Sequence, residues 1–267
     1  MKKIIALLLA VCMIAAFAGC AKSDTAATTE AATTEAPTTE AAAETTEEVT
    51  APAEAEGDVM SHADYMAAEL DSPVCIETYV QAHQSWWDNK LTVYAQSEDG
   101  AYFIYNMECS EEDAAKLVPG TKIRVNGYKT EWSGEVEIAE GATFEILEAD
   151  PYIAEATDVT ELLGTDELIN HQNEKVAFTG LTVEAYDESG AAFAYKNDAE
   201  KTDDLYFKAS YNGTTYDFCV EYYLCGSDTD VYKAVEALNV GDVVDLEGFL
   251  YWYEGANPHV TALTVAK

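Results

Sequence analysis

The chain has a single arginine, Arg124, and only 14 basic side chains against 50 acidic ones. Clustered Lys and Arg supply most of the affinity that proteins have for phosphate backbones. A formal charge of −36 therefore argues against DNA, RNA and anionic lipid as partners. Catalytic motifs are missing as well. The four histidines, His62, His83, His171 and His259, stand far apart in the chain without a paired nucleophile, and no GxSxG, HExxH or phosphate-binding loop occurs. There is no CxxC and no Cys/His spacing suited to zinc. The expectation is a noncatalytic protein with no cofactor and no metal site. Its acidity serves solubility outside the cell and leaves cations or neutral ligands as compatible partners.

Long apolar runs are also scarce. The chain opens MKKIIALLLAVCMIAAFAGC, with Lys2 and Lys3 as a positive start and an apolar stretch from Ile4 to Ala18. A membrane-spanning helix needs about twenty such residues, so residues 1–20 read as an export signal and not as an anchor. Phe17-Ala18-Gly19-Cys20 resembles the lipobox of bacterial lipoproteins, with Phe17 where that family usually has Leu. The resemblance implies cleavage before Cys20 and a diacylglyceryl group on its sulfur. Two acyl chains give stable anchoring, so the expected location is the extracytoplasmic face of the cell membrane.

Residues 21–57 are almost entirely Ala, Thr, Glu and Pro, without an aromatic ring. Such a segment has too little apolar surface to offset the entropy of ordering it. It reads as a disordered tether spanning roughly 30–35 Å as a flexible coil, extended further by like-charge repulsion.

Four cysteines lie beyond the lipobox: Cys75, Cys109, Cys219 and Cys225. Export permits disulfides. Cys219 and Cys225 sit in DFCVEYYLC, an apparent strand that would hold them roughly 20 Å apart, too far to bridge. Cys75 with Cys109 is then the expected pair.

The rest of the chain repeats itself. LVPGTKIRVNGYKTEWSGEVEI (117–138) aligns at one constant offset with LNVGDVVDLEGFLYWYEGANPHV (238–260). Leu117 meets Leu238, Gly120 meets Gly241, Gly127 meets Gly248, Trp132 meets Tyr253 and Gly134 meets Gly255. Upstream, PVCIETYVQA (73–82) parallels KVAFTGLTVE (175–184), and EEDAAKL (111–117) parallels DTDVYKAVEAL (228–238). A fixed offset of this length indicates duplication. Alternating apolar and polar residues between Gly and Asn turns predict three strands, a short helix and two more strands in each copy. Two further short capped helices are predicted at 61–70 and 165–172, led by Ser61 and Thr165.

That element order resembles the OB-fold, a five-stranded Greek-key barrel, and the chain resembles bacterial surface lipoproteins with tandem OB-like domains. The fold expectation is mainly β: two tandem five-stranded barrels with short helices, at 58–150 and 151–267, behind the signal and the linker. The resemblance places ligands on the face of strands 2 and 3 and on the loops joining strands 1–2 and 4–5.

In the first copy those places hold Trp86 and Trp87 (HQSWWDNK), Trp132 (TEWSGE), Tyr94 and Tyr102. Large rings in polar loops need burial or a ligand, and rings stack on sugars as readily as on bases. In the second copy, FLYWY alternates: Phe249, Tyr251 and Tyr253 face one way, Leu250 and Trp252 the other. Both faces are apolar, so one is core and the other wants a partner, either domain 1 or a ligand. Trp252, Asn257 and His259 complete the candidate ligand residues. The acidic segment 185–204 has no calcium-loop spacing and reads as a solvated loop. The function expected is noncatalytic binding of an extracellular glycan or peptide, with a structural or protein-interaction module of the cell envelope as the alternative and nucleic-acid binding, which only the OB-fold resemblance implies, as a minor one.

Overall fold

A computed structural model describes residues 58–196 and 202–266. The signal, Cys20, the 21–57 linker and part of the acidic 185–204 segment lie outside the described residues. In the first copy, strands β1 (Pro73–His83), β2 (Lys90–Ser97) and β3 (Gly100–Glu108) precede helix α2 (Glu111–Ala114). Strands β4 (Lys122–Trp132), β5 (Glu135–Ile138) and β6 (Thr143–Leu147) follow. Helix α1 (His62–Ala67) comes first in the chain, capped by the Ser61 hydroxyl, which accepts from the Asp64 amide.

The strands pair in the order β1-β2-β3-β5-β4, and β4 returns to β1, which closes a barrel. β1 serves two neighbours by bending. Pro73 to Tyr79 pair with β4, and after an irregularity between Val80 and Ala82 the strand pairs with β2. β3 and β5 run parallel, and the other neighbours run antiparallel. Tyr65 of α1 is buried in this barrel's core with its ring edge-on to Tyr102 at 5.1 Å.

The second copy repeats the closure. β8 (Lys175–Glu184), β10 (Leu205–Tyr211), β11 (Thr214–Val220), helix α3 (Asp230–Glu236), β12 (Val243–Phe249) and β13 (His259–Val265) follow in sequence. They pair as β8-β12-β13-β11-β10, with β10 returning to β8. Two short strands, β7 (Thr157–Asp158) and β9 (Phe193–Tyr195), add to β8 and β10. β9 lies inside the segment read as a loop. Gly127 and Gly248 hold equivalent places in β4 and β12, and both are needed for close approach. A Cβ would fall 2.6 Å from Ile138 in the first barrel and 2.2 Å from the His259 carbonyl oxygen in the second. The internal repeat is therefore a repeat of barrel geometry.

Three expectations need correction. Residues 165–172 form no capped helix; Leu168–His171 is a 3-10 turn. The Thr165 hydroxyl closes the preceding turn instead, donating to the Leu162 carbonyl at 2.8 Å. DFCVEYYLC is not one strand, because β11 stops at Val220 and the Cys225 amide turns back to the Glu221 carbonyl at 2.8 Å. Cys75 and Cys109 do not pair, and all four cysteines are free and buried. Cys75 sits on the half of β1 opposite Asn126 of β4. Cys109 lies past the end of β3, where its amide donates to the Asn89 carbonyl. Cys109 joins the core of barrel 1, whereas Cys75 alternates with the core residues Val74 and Ile76 and faces the other side of β1.

Candidate binding face

The two barrels fall within one compact unit. What joins them is the face on which the sequence places a ligand. Tyr94 of β2 and Phe103 of β3 point out of barrel 1 and meet Phe249 of barrel 2 in a small buried cluster edged by Ala82, Leu224 and Tyr251. Tyr94 stacks on Phe249 with ring centroids 4.7 Å apart, and Phe103 packs against Tyr251 at 5.1 Å. The Tyr94 hydroxyl shares a 2.7 Å hydrogen bond with His259 Nδ1, and His259 stacks on Tyr251 at 4.4 Å. Burial holds the His259 imidazole neutral, its pKa lowered to about 3.

Polar contacts continue along the seam. The Gln96 side-chain oxygen accepts from the Lys175 amide at 2.8 Å, and the Ser85 amide donates to the Tyr223 carbonyl at 2.7 Å. Gln172 donates to the Gly134 carbonyl at 2.8 Å, and Asn173 donates to the Val136 carbonyl at 3.1 Å. The Gln172 and Asn173 bonds reach Gly134 and Val136 at the start of β5, before its pairing with β3 begins at Glu137.

The candidate residues thus separate. Tyr94 of barrel 1 and His259 of barrel 2 are buried against each other where the barrels meet, out of a ligand's reach. Tyr102 is not a ligand residue either; it points into barrel 1 and is buried against Tyr65 and His62. Trp86 is half-buried on the core of barrel 1, and its indole N–H donates to the Cys109 carbonyl at 2.8 Å. Trp252 lies across the seam, where a Cβ on Gly134 would come within 2.8 Å of its ring. Asn257 is half-buried and its amide donates to the Tyr251 carbonyl at 2.9 Å. Of the FLYWY row, Phe249 and Tyr251 face domain 1 while Leu250 enters the core of barrel 2.

Two candidate tryptophans remain open to solvent. Trp87 is 58% exposed, with the Lys90 ammonium 5.6 Å from its ring centroid. Trp132 is 60% exposed at the end of β4. It flanks a two-residue hairpin turn, Ser133-Gly134, in which both residues have positive φ (51° and 93°), the geometry that matches the twist of the strands. This turn touches the corresponding loop of barrel 2, where the Glu254 amide donates to the Ser133 carbonyl at 2.7 Å. Tyr253, next to Glu254, is 50% exposed. The two 4–5 loops therefore meet at one end of the seam and present Trp132 and Tyr253 there, with half-exposed Tyr105 of β3 close by.

Two residues of this region were not predicted from sequence. Glu135 and Glu137 alternate with Val136 and Ile138 along β5, which reads as an ordinary outward polar face. The second barrel covers that face. Glu135 is fully buried, and one carboxylate oxygen accepts from the Trp252 amide at 2.8 Å. The other oxygen has no hydrogen-bond partner. Burial pushes the Glu135 carboxyl up to about 9 and the Glu137 carboxyl up to about 7. No motif marks them; only alternation in the strand-5 segment could have pointed to them.

The lone Arg124 is held in an ion pair with Glu77 at 2.7 Å, and Lys122 bonds the other oxygen of the same carboxylate at 2.7 Å. Among the described residues no helix is long and apolar enough to cross a membrane.

Strand order and closure, found twice, define a tandem OB-fold protein. No protein-family model and no curated protein matches the chain. Solved structures do. A murine DNA-binding protein solved with double-stranded DNA aligns over 73% of this chain and 99% of its own, at 12% identity and a TM-score of 0.31. The p204 HINb domain aligns over 71% and 95%, at 13% identity and a TM-score of 0.31. The Ifi202 HINa domain in complex with 20-bp dsDNA aligns over 74% and 97%, at 13% identity and a TM-score of 0.32. These superpositions are too loose to carry anything about what this chain binds.

Proposed function

We propose that this is a lipid-anchored, noncatalytic binding protein of the extracytoplasmic membrane face. Its two barrels act as one body, and the aromatic rim at the end of their seam takes up an extracellular glycan or peptide. The observation that carries this reading is the exposure of Trp132 and Tyr253 on two loops bonded to each other. Exposed rings fixed in one place are a stacking surface. A net charge of −36 and an arginine tied to Glu77 favour such ligands over nucleic acid.

The rim is tested by Trp132→Ala combined with Tyr253→Ala, with binding to immobilised cell-wall glycans and peptides as the readout. Binding is expected to fall at least tenfold while the melting temperature changes little, since both side chains are exposed. Equal retention of ligand by the variant would falsify the rim assignment. The anchor is tested by Cys20→Ala in cells. The variant is expected to leave the membrane fraction; if it stays there as tightly as the native protein, the diacylglyceryl anchor is wrong.

A second reading, an interaction module of the cell envelope, is favoured by one observation. Trp87 and Tyr223, 58% and 60% exposed, lie near one another at the opposite loops, joined through the Ser85 amide bond to the Tyr223 carbonyl. The same ligand screen with Trp87→Ala separates the two readings.

A further inference from the structure

The rim has an acidic floor that the barrels leave unpaired. Glu137 is 7% exposed, yet its carboxyl makes no hydrogen bond or ion pair with any described residue. Glu135, two residues earlier on the same face of β5, has the Trp252 amide and the Asn173 side chain against it but no cation, and one buried oxygen completes no well-aligned hydrogen bond. Buried carboxylates are ordinarily paired, because an uncompensated charge in a low-dielectric site is costly. Cations occur nearby but are engaged elsewhere. Lys90 is bound to Glu140 at 2.5 Å, and Lys129 donates to the carbonyls of Met66 and Ala68 at 2.7 and 2.9 Å.

The walls around this floor are aromatic. Phe103 is the neighbour of Glu137 across the parallel β3–β5 pair, and its ring lies 5.1 Å from that of Tyr251. The Tyr251 phenol is raised by burial and then by the fields of Glu135, Glu137, Tyr105 and Tyr253, so all four lie within electrostatic range of it. Trp132 is the cross-strand neighbour of Glu135 at the open end. A buried carboxylate beside several aromatic side chains complements a particular kind of ligand group: a positive charge that is bulky and weakly hydrated. Ring faces attract such a cation by about 0.5–2 kcal/mol each, and a carboxylate completes its charge balance.

A metal ion suits the place less well. Calcium takes six to eight oxygen ligands, and no group of three metal-binding side chains occurs among the described residues. We propose that the seam end formed by Glu137, Glu135, Tyr251, Tyr253, Tyr105 and Trp132 binds an alkylammonium group carried by the extracellular ligand. This rests on the rim reading and names the chemistry that the rim selects.

Proton linkage makes the assignment testable. The titratable groups facing Glu137 are Glu135 on its own strand, Tyr105 on β3, and Tyr251 and Tyr253 from barrel 2, with His259 behind the Tyr251 ring. Glu135 titrates at about 9 and His259 at about 3, whereas Glu137, at about 7, changes between pH 6 and 8. An ammonium ion requires the ionised form, whose population rises about tenfold over that interval.

The experiment uses the full chain and two probes of one shape: choline, and its neutral counterpart 3,3-dimethylbutan-1-ol. Tryptophan fluorescence and calorimetry at pH 6 and 8 are the readouts. Choline is expected to bind saturably, about tenfold more tightly at pH 8, while the neutral alcohol does not bind. Glu137→Gln is expected to abolish choline binding and its pH dependence without lowering the melting temperature, and Glu112→Gln to leave both intact. No saturable choline binding at pH 8 overturns the proposal, as does equal binding of the alcohol or equal affinity at both pH values. Glycan or peptide binding that needs Trp132 and Tyr253 but ignores choline and Glu137 would overturn this inference alone. Loss of the rim effect itself overturns both readings.

Discussion

Glu135→Gln is expected to widen its stability advantage over the native chain by about 3 kcal/mol as pH rises from 6.5 to 8.5. The cause is the cost of ionising a carboxyl that the second barrel has sealed from water. Its pKa stands at about 9 in the folded protein against 4.5 when exposed. Between those values the folded state holds a proton that the unfolded state has released, so stability falls as pH rises. Each unit of pH in that window removes about 1.4 kcal/mol, and two units give the expected difference. In a protein of this size it corresponds to roughly 6–12 °C in melting temperature.

Glutamine keeps an acceptor for the Trp252 amide and has no charge to bury. Glu137 and Glu221, both at about 7, complete their titration early in the window. His259 works in the opposite direction. Its folded pKa of about 3 against 6.5 means stability is lost as pH falls below 6.5, which is why the comparison starts there. Melting curves of the two proteins at pH 6.5, 7.5 and 8.5 decide the matter. Parallel curves would mean that Glu135 is solvated or paired, contrary to its burial.

Phe249→Ala is expected to cost about 3–5 kcal/mol, the usual range for emptying a buried aromatic site, or roughly 6–20 °C in melting temperature. The ring stacks on Tyr94 and closes the cluster shared by the two barrels, a geometry worth about 0.5–1.5 kcal/mol beyond the area it covers. Losing it loosens the seam before it damages either barrel core. The expected signature is therefore a separation of one melting transition into two, with Trp252 emission moving to longer wavelength in the earlier one. A single transition at the native temperature would show that the polar contacts of Gln96, Gln172 and Asn173 hold the barrels together without the rings.

Both results concern a part of the molecule that strand periodicity could not disclose. The constant offset between 117–138 and 238–260 was enough to predict two barrels. Gly127 and Gly248 mark a close approach that any barrel of this kind needs, and the Val, Ile and Tyr alternation sets which side of each strand is core. Fold class, strand order and the short helix before strand 4 of each copy follow from such local signals. The pairing of FLYWY with a partner on one side and core on the other was also legible, because alternation along a strand is a local property.

The identity of that partner was not local. Tyr94, Phe103 and His259 look the same in sequence whether a sugar or another barrel covers them. Glu135 and Glu137 look like solvent-facing residues until Gln172, Asn173 and Trp252, from a distant part of the chain, close over β5. Cys75 and Cys109 made a reasonable bridge until the pleat of β1 turned Cys75 away from the core in which Cys109 sits. By itself the sequence determined the two barrels and their acidity, since periodicity and composition act over neighbouring residues. Only the tertiary structure decided which aromatic rings are seam and which are open rim. Burial depends on surfaces brought together from far apart in the chain, and no neighbour in sequence records that.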